Sequence, residues 1–173
     1  MKTLLFGMLA LLSLGAQAKK EIEGDHFILQ GKIYEIDVFK DGAVEASNVN
    51  VIIYQDQEIY VSFFGKENGS YEFVLPVGHE YEVWFGGKAY VNKKVYVDAR
   101  KMPQRKIGYE CNIDMGLFKP IENAEFPLLV DHYVKVRWDS EYRELTPDVE
   151  YTEFKARELE KALKKIKKTH GGY

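Results

Sequence analysis

Between residues 49 and 97 the chain alternates apolar and polar side chains in four short runs, with turn residues between them. Val49, Val51 and Ile53 share one face, as do Ile59, Val61 and Phe63, then Tyr71, Phe73 and Leu75, then Tyr81, Val83 and Phe85. A period of two sets alternate side chains on the same side of a strand, so each run predicts a strand with one apolar face. Lys66-Glu67-Asn68-Gly69-Ser70 leads into Tyr71-Glu72-Phe73 as a hairpin, and Pro76-Val77-Gly78 turns the chain again. One-sided apolar sheets bury those faces against each other, so the expected fold is mainly β, an antiparallel β-sandwich.

The same reading extends along the chain. Residues 27–36 predict a first strand and Asp41-Gly42 a turn. Gly86-Gly87-Lys88 turns the chain into a strand over 90–97, with Val91, Val95 and Val97 inward. Residues 107–117 alternate most regularly: Ile107, Tyr109, Cys111, Ile113, Met115 and Leu117 on one side, Gly108, Glu110, Asn112, Asp114 and Gly116 on the other. Cys111 therefore points into the core as a structural thiol. Pro120 ends that strand for want of an N–H. Val134, Val136 and Trp138 alternate again, which puts Trp138 on the core side, and Asp139-Ser140 marks a turn. Thr146-Pro147-Asp148 combines a capping hydroxyl, a first-turn proline and an acid, and predicts a helix over 147–168. Its stripe is Phe154, Leu159, Ala162, Leu163 and Ile166. An isolated helix of this length is marginal in water, so the stripe is expected to dock on the sandwich.

Residues 31–97 carry a family pattern. Gly31-Lys32-Ile33, Val49-Asn50-Val51, Gly69-Ser70-Tyr71-Glu72-Phe73, Pro76-Val77-Gly78 and Tyr81-Glu82-Val83 follow one another as in the carboxypeptidase regulatory-like domain, which this stretch resembles. Where that pattern has Thr-Asp before the hairpin, this chain has Gly65-Lys66. More loosely, the chain is similar to small exported proteins of Bacteroidetes-type bacteria that continue into a strand and a C-terminal helix. The resemblance implies a transthyretin-like or Ig-like sandwich of about seven strands with an added C-terminal α-helix. It also implies a module without catalysis of its own, found beside or apart from peptidases and outer-membrane receptors. The regulatory-like sandwich is expected over 19–119, and a C-terminal extension packed on it over 120–173.

The N-terminus predicts export. Lys2 precedes an apolar run over 4–14, and Ala16-Gln17-Ala18 places small residues where signal peptidase cuts, between Ala18 and Lys19. Residues 1–18 are thus a signal peptide, too short in its apolar run to span a bilayer, which takes about 20 residues. A periplasmic or secreted location follows. Removing 18 of 173 residues leaves 155, with 23 basic side chains against 27 acidic ones, a formal charge of −4. That size suits one domain. Its mild acidity argues against a nucleic-acid partner. A single Cys excludes an internal disulfide.

No residue set assembles a catalytic, metal or cofactor site. His79-Glu80-Tyr81-Glu82 has the His-x-x-Glu spacing of zinc carboxypeptidases, yet it sits in a turn at the start of a strand and lacks a third ligand. His26, His132 and His170 are scattered, and Ser47, Ser62, Ser70 and Ser140 lack a nucleophile-elbow context. The lysines of 161–168 suit a solvated helix end. Two functions remain. The preferred one is protein binding in the envelope, because every open sandwich has edge strands that accept a partner strand. The alternative is carbohydrate binding, suggested by 24 aromatic residues, with Trp84 as the candidate because it alternates out of phase with Val83 and Phe85. Against an exposed Trp84 stands the reading that the helix or the strand around Val134 covers it.

Overall fold

The structure, a computed structural model, describes residues 25–40, 42–103 and 109–170. The expected signal peptide with its Ala18–Lys19 junction, Asp41 of the first predicted turn, Ile107 and Gly108 of a predicted strand and the side chain of His170 lie outside them. The chain is mainly β. Among the described residues eleven strands form in order: β1 (His26–Ile36), β2 (Ala43–Glu45), β3 (Asn50–Gln55), β4 (Glu58–Phe64), β5 (Ser70–Pro76), β6 (Glu80–Gly86), β7 (Lys93–Asp98), β8 (Tyr109–Asn112), β9 (Met115–Leu117), β10 (Val134–Asp139) and β11 (Glu144–Pro147). Helix α1 (Val149–His170) follows. The two layers of a β-sandwich are a six-stranded sheet in the order β11-β10-β7-β6-β3-β4 and a five-stranded sheet built around β1.

Both sheets are mixed, which corrects the purely antiparallel expectation. The long β1 carries β5 and β2 antiparallel along one flank and β8 and β9 parallel along the other, and β7 pairs with β10 in parallel. The strand number exceeds about seven because β10 and β11 of the C-terminal stretch join the six-stranded sheet, and for two further reasons. β2 is a short strand that sequence periodicity does not reveal, and the described part of the 107–117 stretch, from Tyr109 to Leu117, is two strands broken at Ile113-Asp114. The break has a local cause at Gly31. A Cβ there would lie 2.1 Å from Ile113 O, so the glycine admits the Ile113 carbonyl against β1. Ile113 N–H then donates to Gln30 O at 2.9 Å, Lys32 N–H to Asp114 Oδ1 at 2.8 Å, and the buried Tyr71 hydroxyl to Ile113 O at 2.5 Å.

Inward-facing positions form one core. Phe27, Leu29, Ile33, Tyr71, Leu75, Val51, Ile53, Tyr81, Val83, Phe85, Val95 and Val97 are buried, with Tyr109, Cys111, Ile113, Met115 and Leu117 from the last strands of the β1 sheet. Trp138 is partly buried against this core and meets Tyr109 edge-on at 4.9 Å. Gly69, at φ 70°, opens β5, and Ile33 N–H donates to its carbonyl at 2.9 Å. An L residue is strained in that left-handed conformation.

Two apolar assignments change. Ile59 is 67 % exposed, because the β3–β4 ladder pairs Ile53 with Val61 but Tyr54 with Ile59. Tyr60 is the extra residue of a bulge there, and an extra residue breaks the alternation of faces. Phe154 is exposed too, at 54 %. Helix α1 buries Thr152, Lys155, Leu159 and Leu163, with Ala162 and Ile166 beside them half-buried. At 3.6 residues per turn, Phe154 stands about 140° from Leu159 around the helix axis, whereas Lys155 stands only about 40° away.

The start of the helix also moves. Thr146 and Pro147 belong to β11, opposite Arg137 and Val136. The cap is Asp148, whose Oδ1 accepts the N–H of Tyr151 at 3.0 Å, because strand pairing holds Pro147 outside the helix. Leu159 and Leu163 join the sandwich core, so α1 closes it.

Candidate functional site

Trp84 lies on the face of the six-stranded sheet turned away from the core, between Ile52 of β3 and Lys94 of β7. Its neighbours in the same sheet leave it half-buried. Lys94 Nζ sits 4.2 Å from the centre of the indole, and the Tyr54 ring packs at 5.5 Å. The indole Nε1–H donates to Glu82 Oε1 at 2.5 Å. A cation over an aromatic face contributes about 0.5–1 kcal/mol at an exposed site, so a sugar ring stacking on that face would displace Lys94 at some cost.

Glu82 joins two distant parts of the chain. Its other oxygen lies 2.5 Å from His132 Nε2, and His132 Nδ1 lies 3.2 Å from Asp131 Oδ1. Tyr133 N–H donates to Lys94 O at 2.7 Å, which draws this segment across β7. Tyr151 of α1 donates to His132 O at 2.6 Å and to Asp131 Oδ2 at 2.9 Å. Burial works to raise the Asp131 carboxyl, but the His132 N–H, the Tyr151 hydroxyl and the charges of Lys155 and Lys135 overcome it and hold it at about 2. Farther along the same face, Tyr96 donates to Glu80 Oε2 at 2.8 Å. Burial first, then that bond, pushes the Tyr96 hydroxyl up to about 12. Arg100 reaches both Asp98 and Glu80. The polar groups of this face thus satisfy one another, and the network clamps β6, β7 and α1 together.

The remaining candidates have structural surroundings. His79 Nδ1 is 2.5 Å from Asp56 Oδ2, and Asp56 Oδ1 also accepts the N–H of Glu80 at 3.1 Å. The pair joins the β3–β4 turn to the start of β6. Among the described residues no three His, Cys, Asp or Glu side chains converge as a metal ion requires. Cys111 is buried, and burial pushes its thiol up to about 12, away from thiolate chemistry. No helix among the described residues is long and apolar enough to cross a membrane.

Lys93 escaped sequence reading although its phase marks it, since it shares the phase of Val91, Val95 and Val97. It is 1 % exposed. Its Nζ lies 4.2 Å from the Tyr133 ring centre and 5.7 Å from that of Phe118. Burial lowers its ammonium to about 7.

One open surface is the β4 edge, at one end of the six-stranded sheet. Ile59, Tyr60 and Phe64 are exposed there, Phe64 to 71 %. Val61 and Phe63 are half-buried. Phe63 packs edge-on at 4.4 Å against Phe73 of β5, which ends the β2-β1-β5 path of the other sheet and is itself half-buried. Edge strands are commonly blunted by lysine or proline, and β4 has neither; it has Glu58 at its start and the bulge at Tyr60.

No protein-family model matches the chain, and no curated protein matches it. Among solved structures it is similar to the Bacillus anthracis TIE protein, with 22 % identity and a TM-score of 0.38 over 54 % of this chain and 18 % of that one. It is also similar to 3-chlorocatechol 1,2-dioxygenase from Rhodococcus opacus 1CP, with 11 % identity and a TM-score of 0.39 over 59 % of this chain and 63 % of that one. The chain therefore spans less than two thirds of either protein, and at these scores neither likeness bears on activity.

Proposed function

We propose that this chain is a non-catalytic β-sandwich module of the bacterial cell envelope, exported by its N-terminal signal and working by protein binding. The observation that carries the reading is the β4 edge, a seven-residue strand with exposed apolar side chains and no blunting charge beyond Glu58 at its start. An open edge presents main-chain donors and acceptors to an incoming strand, and apolar side chains beside it add affinity. The resemblance to carboxypeptidase regulatory-like domains supports the same reading, as does the self-satisfied state of the outer-face network.

The test is a photo-crosslinking amino acid at position 64, introduced into the full chain in its native envelope and followed by mass spectrometry. Specific protein adducts are expected at position 64 and not at the exposed Phe154. A position 64 that yields no protein adduct contradicts the reading.

Carbohydrate binding is the second reading, favoured by the Trp84–Tyr54 pair on the outer face. Under it, Trp84→Ala abolishes retardation on a polysaccharide affinity gel. Equal mobility of parent and variant on gels that do retard the parent counts against it.

A further inference from the structure

We infer that the β4 edge pairs with the β4 edge of a second copy of this chain, joining two six-stranded sheets across a two-fold axis at Phe63. The inference rests on the protein-binding reading above and names the partner. Gly65 N–H donates to Val49 O at 2.8 Å, and the β3–β4 register runs from Asn50 opposite Phe64 to Ile53 opposite Val61. In an antiparallel ladder bonded and non-bonded pairs alternate, so Phe63 and Val61 bond inward to β3. Ser62 and Phe64 turn their N–H and C=O groups to the open side. Beyond Val61 the bulge interrupts the frame.

That short frame is self-complementary. Two antiparallel copies centred on Phe63 set Ser62 of each opposite Phe64 of the other, and each such pair exchanges two hydrogen bonds. Phe63 then meets its own copy as a close non-bonded pair, and each Phe63 already rests on a half-buried Phe73. Four partly exposed rings are thereby covered at one point, and aromatic pairs of this kind stabilise a sheet. The paired stretch over 61–65 contains no charge. Past the bulge the same register sets Lys66 beside Ile59 and Tyr60, so the matched pairing is confined to 61–65. A foreign strand supplies an edge but not this matched register.

Sedimentation equilibrium of the full chain tests the pairing. The parent is expected to weigh twice the chain mass at high concentration. Ser62→Pro is expected to halve that mass, because the proline removes an N–H that faces the open edge and leaves the main-chain bonds to β3 intact, giving up only the exposed Ser62 hydroxyl bond to Asn50 Oδ1. A circular dichroism spectrum matching the parent's checks that the variant folds. Phe64→Lys, which sets like charges near each other across the axis, is expected to halve the mass as well. A parent that stays monomeric throughout a dilution series overturns the inference, and so do folded variants that stay dimeric. A crosslink from position 64 to another protein, with a monomeric parent, sinks the dimer and leaves the protein-binding reading standing. Absence of any protein crosslink at position 64, with a monomeric parent, sinks both.

Discussion

His132 Nε2 lies 2.5 Å from Glu82 Oε2, so a side chain just before β10 is fastened to β6 across the whole width of β7. A charged hydrogen bond of this kind contributes about 1.5–3 kcal/mol, less where water reaches it. Both side chains are partly exposed, at 22 % and 31 %. Single replacements His132→Ala and Glu82→Ala and the double replacement should therefore show a coupling of about 1 kcal/mol in urea unfolding. Additive effects would mean that the pair is incidental.

Lys93 should make the protein more stable as the medium becomes alkaline. Its folded ammonium titrates near 7, against 10.5 for an ordinary lysine. Between those values the unfolded chain binds a proton that the folded chain does not, so stability rises with pH over that window and the penalty is complete below it. Lys93→Met should raise the melting temperature most below pH 7, with the gain shrinking as pH approaches that of ordinary lysine titration. The gain is of order a few kcal/mol, reduced by the lost attraction to Tyr133, which is worth about 0.5–2 kcal/mol. Melting curves of parent and variant across that pH range check the slope; a gain independent of pH contradicts it.

Leu163 and Phe154 should behave oppositely. Leu163 is 6 % exposed and belongs to the core cluster. Leu163→Ala is therefore expected to cost about 2–5 kcal/mol. Phe154→Ala, on the exposed side of α1, should change stability by no more than about 0.5 kcal/mol. Thermal melts of the two variants decide the matter, and equal losses would place the helix in a different rotation.

Asp148→Ala should cost about 1 kcal/mol through loss of the cap on Tyr151 N–H. Thr146→Val should be neutral or stabilising, because Thr146 Oγ1 is buried without a hydrogen-bond partner. Urea midpoints measure both. A larger loss at position 146 than at 148 would return the cap to Thr146.

Side-chain alternation is local, since each peptide unit turns the next side chain to the other face regardless of its partner strand. For that reason the inward set Tyr71, Leu75, Tyr81, Val83, Phe85, Val95, Val97 and Tyr109 through Leu117 was legible in the sequence, as were the β-sandwich, the C-terminal helix and the outer placement of Trp84. Partner choice is not local. That β8 and β9 run parallel to β1, that Lys94 and Tyr54 shield Trp84, and that Glu82 meets His132 fifty positions away follow from cross-strand register alone. Local rules also yield to tertiary demands at single residues. The bulge at Tyr60 turned Ile59 outward, strand pairing took Thr146 and Pro147 from the helix, and sheet phase carried Lys93 inside between two rings, because in each case completing a ladder or a core outweighed the preference of the residue itself.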